Sequence, residues 1–332
     1  MGRRSVWSDP EVIAKASEFL PAADEVWRLQ RGSDLECQIF QEMANSGHYQ
    51  GKGGTRQGIY VLSPSGRLLA SANVLNPLEA KLLMERGLKA WKALPPSHRE
   101  LDPRAASKGI TRWEDSYPHD GLALRITLRE LPKSGDPMDE RKPPANRDHA
   151  WFSRTEARAW LPARLEVGAH TDLPRPLFER LACLHLVDAV RGQGLPYAPE
   201  EIEAGSLRSE VTARDGDLVH VAFRGEVSMR ARGPWLLGEN DWTPNAEYPR
   251  SIQVELLGSA TFDTAAESFT DFELVATGAR RGRSQFNGRS GPDDTGLIGF
   301  VFEPARSGPS SKVPPAFIDL YRQFGAEWVR AL

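Results

Sequence analysis

The sequence predicts a two-part protein: an α/β first part, then an α+β second part built on an antiparallel β-meander. Three observations carry this. The chain has 332 residues, more than a single core usually serves. A stretch rich in Pro, Ser and charge around residues 96–120 interrupts the apolar patterning. Apolar residues recur at helical spacing over much of the chain up to about residue 191, and beyond it they alternate with polar ones. The expected division is therefore a domain over 1–95, a linker over 96–120 and a second domain over 121–332.

In the first part, Asp9-Pro10-Glu11 opens a helix, because Asp caps orphan amides and Pro at the first turn loses no hydrogen bond. Val12, Ile13, Ala16 and Phe19 supply its apolar side, and Pro21 stops it. Residues 22–29 read as a strand. Gly32-Ser33-Asp34 is a turn that starts a helix with Ile39, Phe40 and Met43 on one face, closed by Gly47. After a glycine-rich loop over 47–58, residues 58–62 and 67–71 read as strands joined by the turn Ser63-Pro64-Ser65-Gly66. Asn76, with Glu79 three residues on, caps a helix that carries Leu78, Leu82, Leu88 and Trp91 through Leu94.

In the second part, residues 121–131 alternate as a strand, and 132–147 read as a polar, proline-rich stretch. Ser153 caps a short helix to Trp160. Residues 176–191 read as one longer helix, with Leu177, Leu181, Leu184 and Val187 on one side and Gly192 at its end. Strands are expected over 207–213, 218–230, 252–262, 269–277 and 297–302, with Arg214-Asp215-Gly216-Asp217 as a hairpin turn. A last helix carries Phe317, Tyr321, Phe324 and Trp328.

The order helix, strand, helix, strand–turn–strand, helix over residues 9–94 resembles a thioredoxin fold without its first strand. Three segments carry the resemblance: Trp7-Ser8-Asp9-Pro10-Glu11-Val12 looks like the stretch after the family's active-site helix, 58–69 like its final hairpin, and 77–94 like its last helix. The family's chemistry needs a CxxC at a helix N-terminus, where one thiol attacks and the other resolves the mixed disulfide. This chain contains no CxxC, and Thr55-Arg56-Gln57-Gly58 stands where the family places a cis-proline. The resemblance thus implies a redox-inactive thioredoxin-like domain. The remainder, including 150–162 and 257–263, resembles the C-terminal part of an uncharacterised bacterial family that shares this head, and that likeness implies no activity.

Composition narrows the function classes. Apolar residues are 40%, charged residues 26% and the net charge is −3, so no basic field argues for nucleic acid. No apolar run approaches the ~20 residues of a membrane span. No signal peptide is visible, which predicts a cytoplasmic protein, or an exported one if the N-terminus is incomplete. Two cysteines, Cys37 and Cys183, exclude a disulfide framework and a cysteine-based zinc site.

The candidate residues are few. Cys37 lies in the first turns of a helix, which lowers a thiol pKa, but Asp34 and Glu36 oppose a thiolate, so a packed structural thiol is favoured. His185 and Asp188, three apart on one helix, can pair and orient a general base; a satisfied, half-buried histidine is the plainer reading. His149 with Asp148, and His170 with Asp172, lack metal-site spacing, so no metal and no cofactor is expected. The segment 279–289 is the most distinctive. Arg280, Arg281, Arg283 and Arg289, with Phe286 and Asn287, suit an anionic or sugar ligand, unless Asp293 and Asp294 simply neutralise them. The functional expectation is a non-enzymatic binding protein whose partner is a protein or a small anion. The alternatives are a single-cysteine redox protein using Cys37, or an enzyme with its site in the second part.

Overall fold

The structure is a computed structural model that describes residues 6–7, 9–22, 26–50, 55–101, 116–132, 145–232, 249–284, 287–306, 308 and 311–326. It divides into two compact units, Met1–Thr111 and Arg112–Leu332. No described helix is long and apolar enough to cross a membrane.

The first unit opens with α1 (Pro10–Ala16), capped by Asp9 through the amides of Glu11 and Val12. Of the expected strand over 22–29, residues 23–25 lie outside the described residues, and 26–29 belong instead to the helix α2 (Val26–Arg31). Arg28, Leu29, Gln30 and Arg31 are adequate to good helix formers, and only Val26 and Trp27 favour a strand, so local propensity tips to helix. The Gly32 amide closes α2 on the Arg28 carbonyl. Next come α3 (Leu35–Asn45), the antiparallel hairpin β1 (Ile59–Leu62) and β2 (Leu68–Ala72), and α4 (Pro77–Ala93), which is capped by Asn76. The unit's sheet therefore has two strands. One small core joins Val6, Val12, Ala80 and Met84, with Ile59 and Phe19 packed against it.

The second unit is built on one eight-stranded antiparallel sheet. Its strands are β3 (Leu122–Leu131), β4 (Ala145–Phe152), β5 (His170–Asp172), β6 (Ile202–Asp215), β7 (Leu218–Arg232), β8 (Pro249–Asp263), β9 (Ser268–Gly282) and β10 (Thr295–Pro304). The spatial order is β4-β3-β10-β9-β8-β7-β6-β5. The meander β6–β10 follows the expected alternation, with longer strands than the sequence suggests. Two strands were not expected: β4, which begins in the last residues of the polar stretch 132–147 and runs on to Phe152, and the three-residue β5.

These two unexpected strands are the sheet's edges, and the chain between them crosses from one edge to the other. It carries the helix α5 (Arg154–Arg158), whose N-terminus is a full capping box between Ser153 and Glu156. Just after α5, buried Trp160 meets Phe152 of β4, Phe223 of β7 and Phe272 of β9 edge-on at 5.3, 5.7 and 5.4 Å. One side chain thus ties the crossing segment to an edge strand and two central strands.

Three inward-facing glycines mark close backbone approach between neighbouring strands. Gly225, Gly258 and Gly278 sit on the adjacent strands β7, β8 and β9. A Cβ there would lie 2.3, 2.3 and 2.1 Å from a carbonyl oxygen of a neighbouring strand. Only glycine permits backbones to approach this closely.

The inward face packs against α6 (Arg175–Arg180), which runs into a single π-helical turn, Leu181–His185. The expected helix to residue 191 therefore ends six residues early. Every residue from Leu181 to Val187 is buried, and the Cys183 carbonyl accepts the Tyr197 amide at 2.9 Å in place of a further helical bond. Leu186 leaves helical geometry, with ψ 58°. The expected last helix is a 3-10 segment, Ile318–Phe324; Trp328 lies outside the described residues.

Candidate binding site

Sequence proximity suggested a His185–Asp188 pair. The structure separates them, because the chain unwinds between them. His185 Nδ1 lies 2.8 Å from Asp148 Oδ2, and Nε2 lies 2.6 Å from the Tyr321 hydroxyl. A carboxylate is acceptor-only, so Nδ1 donates to Asp148, while Nε2 and the Tyr321 hydroxyl share the second bond. The other oxygen of Asp148 accepts the Ala316 amide at 2.9 Å. Burial pushes the Tyr321 phenol well above its ordinary value, although Arg180 opposes this. Arg180, fully buried, forms a two-pronged pair with Glu156 at 2.8 and 3.0 Å and stacks on the rings of Tyr321 and Phe152. This network ties the last described segment to β4 and α6. His185 is 1% exposed, so no substrate reaches it. Asp148 is the partner that sequence reasoning missed. The signal for it was the buried run Ala150-Trp151-Phe152, which marks β4 and sets Asp148 on an edge strand.

Cys37 is the third residue of α3. Its amide donates to the cap Asp34 at 3.0 Å, and its thiol lies 3.2 Å from Asp34 Oδ2 and 3.4 Å from the Arg28 carbonyl. Burial, then the bond to Asp34, push the thiol up to about 11 despite the Arg28 charge. Cys183 is buried in the π turn, and burial likewise pushes it up to about 12. His149 and His170 are strand residues, on β4 and β5 at opposite edges of the sheet, and do not converge. His170 contacts the Gly168 carbonyl, Asp172 pairs with Arg208, and Asp148 is taken by His185. Burial lowers the His149 pKa.

The arginine segment is not a loop hanging from a strand that ends at Thr277. β9 continues to Gly282, so Arg280 and Arg281 are strand residues whose side chains leave by opposite faces. Gly282 then adopts a left-handed φ of 87° that ends the strand. Inward-facing Arg280 is buried and bonds Asp294 at 2.8 Å, with Asp188 at 3.7 Å. Arg289, its side chain fully buried, grips Asp188 through two bonds of 2.8 and 2.7 Å and also bonds Glu130. Glu130 in turn holds Arg191 at 2.6 Å. Burial alone would raise Glu130 and Asp294, but bonds from Arg191 and Arg289 hold the first below its ordinary value, and bonds from Ser290 and Arg280 hold the second there. Arg280 and Arg289 are therefore committed inside the protein. Breaking such a buried pair from one side typically costs about 3–5 kcal/mol.

Outward-facing Arg281 differs. It pairs with Asp293 at 2.6 Å, but the two side chains are 62% and 82% exposed. A pair of that kind contributes only ~0–1 kcal/mol and exchanges readily. Beside it is a small cleft lined by Asp188, Arg250, Ser251, Arg281, Ser284 and Asn287 among others, with about 10 Å³ of free space. That space admits one water-sized group. Arg283 follows directly on β9, and Phe286 lies outside the described residues. Arg250 entered the site without any sequence warning. It stands near the start of β8, which begins three residues before the strand expected from 252.

Comparison with family models, curated proteins and solved structures finds no match.

Proposed function

We propose that this chain is a non-catalytic binding protein whose recognition site is the arginine-rich end of the second unit's sheet, and whose first unit is a redox-inactive thioredoxin-like domain. The observation that carries the reading is the division of labour among the arginines. Arg280 and Arg289 are buried and hold the sheet end rigid, while Arg281 is exposed and only loosely held by Asp293. A preorganised frame presenting an exchangeable guanidinium is what recognition of a carboxylate or phosphate requires.

The catalytic alternatives have less support. A redox role needs a Cys37 thiolate, yet burial and Asp34 favour the thiol. A site built on His185 needs access, and its ring is sealed. For the first unit, the hairpin β1–β2 followed by α4 favours the thioredoxin-like reading, while α2 stands where that reading puts a strand.

The test replaces Arg281 and Arg283 together with alanine. Binding of small anions, sugars and captured proteins is then compared with wild type, alongside thermal stability. The expected outcome is lost binding at nearly unchanged melting. A drop in melting with no ligand lost makes the segment structural and ends the proposal.

A further inference from the structure

Resting on that reading, we propose that the cleft around Arg250 is an oxyanion pocket, which takes the terminal carboxylate or phosphate group of a ligand. The cleft holds a charge without a counter-charge. Arg250 is 9% exposed, and among the described residues no carboxylate lies within ion-pair distance of it. Its two terminal nitrogens donate to the carbonyls of Leu195 and Pro196 at 2.8 and 2.7 Å. Its Nε is buried with no hydrogen-bond partner. The guanidinium rests on the Tyr197 ring, 4.1 Å from its centroid.

Proteins ordinarily pair a buried cation with an anion, because carbonyl dipoles and a ring face only partly replace water. The nearest candidate within the cleft is Asp188, and it is occupied: both its oxygens bond Arg289, and it also faces Arg280. Arg281 and Ser251 border the cleft, but as register partners they turn their side chains to the sheet's other face, so Arg250 is the cation inside it. Ser284 and Asn287, both buried, add a hydroxyl and an amide to the lining. A buried guanidinium without a counter-charge, with short polar groups beside it, offers a charge-assisted bond to one oxygen of a planar or tetrahedral oxyanion. The free volume sets the depth of entry: one ligand oxygen enters beside Arg250, and the rest of the group stays at the mouth.

The experiment uses the full chain. Thermal unfolding is followed in sodium phosphate, sodium acetate and sodium chloride at matched ionic strength. A ligand that binds only the folded state raises the melting temperature with saturation. Phosphate, acetate or both are expected to do so beyond chloride; which one acts distinguishes a phosphoryl from a carboxylate ligand. Arg250→Met should abolish the rise. Ser284→Asp, at a buried position of the lining, supplies an internal carboxylate, so it should raise melting in chloride and also abolish the oxyanion effect. This second variant carries the test if Arg250→Met does not fold. An oxyanion effect no larger than that of chloride, or one that survives either substitution, overturns the pocket. If neither oxyanion acts while the Arg281 and Arg283 double substitution still loses a bound partner, the pocket fails and the binding reading stands.

Discussion

Cys37 shows how a single residue's neighbours can reverse what its position suggests. The first turn of a helix offers amide dipoles that lower a thiol pKa. Here the cap residue Asp34 takes the Cys37 amide with one oxygen and faces the sulfur with the other. Removing the thiol proton would put two negative charges side by side in a buried place, so the thiol is held up to about 11. Asp34 and Glu36 made this legible in the sequence, because both acids flank the cysteine. The expected outcome is alkylation of native protein by iodoacetamide at pH 8 on the order of a hundredfold slower than for free cysteine, since the thiolate fraction falls with the raised pKa. Quantifying labelled Cys37 by peptide mass spectrometry checks this, and labelling as fast as free cysteine would refute it. His185 was less legible. Spacing of three residues gave it Asp188 as a partner, but spacing argues only within an intact helix, and the helix ends at His185 itself.

At the scale of elements, β6 to β9 were read well because each has one buried and one more open face, so the period of two is visible, and β10 was found as a short apolar run. The edge strands were not. In β4, three consecutive buried residues, Ala150, Trp151 and Phe152, break the alternation, and β5 is too short to have a period. Glycines inside strands carried a signal of another kind. Gly258 lies between buried Leu256 and Ala260 on β8, and its missing side chain leaves room for the Glu273 carbonyl of β9. Gly258→Ala should destabilise the second unit by about 1–3 kcal/mol, as overpacking does. Gly291→Ala, where an added Cβ meets nothing within 4 Å, is the control and should change stability by less than about 0.5 kcal/mol. Urea unfolding of the two variants gives both numbers, and equal midpoints would mean that the close approach of β9 to Gly258 does not limit stability.

Over the whole molecule, a net charge of −3 suggests no strong electrostatics. The balance hides local concentration: the end of the second unit's sheet gathers Arg191, Arg280, Arg281 and Arg289 with Glu130, Asp188, Asp293 and Asp294. These residues come from segments far apart in sequence, so no local pattern foretold the cluster; only the arginine-rich stretch over 280–289 stood out. The cluster makes stability depend on acid. Glu130 and Asp294 have folded pKa values below their ordinary ones. A depressed carboxylate contributes stability that is fully present above its unfolded pKa and is lost as pH falls through the folded pKa. The unfolded values are about 4, so the contribution should be intact at pH 6 and decline below about pH 4.5. Trp151 and Trp160, both buried in this unit, can report its unfolding by fluorescence. Wild type should therefore melt at progressively lower temperature below about pH 4.5. Asp294→Asn should melt lower than wild type at pH 6, because Arg280 and Ser290 lose their carboxylate partner. It should then lose less on acidification, because one depressed group no longer takes up a proton. Wild-type and variant curves that stay parallel from pH 6 to pH 2 would show that Asp294 is not coupled to folding through this cluster.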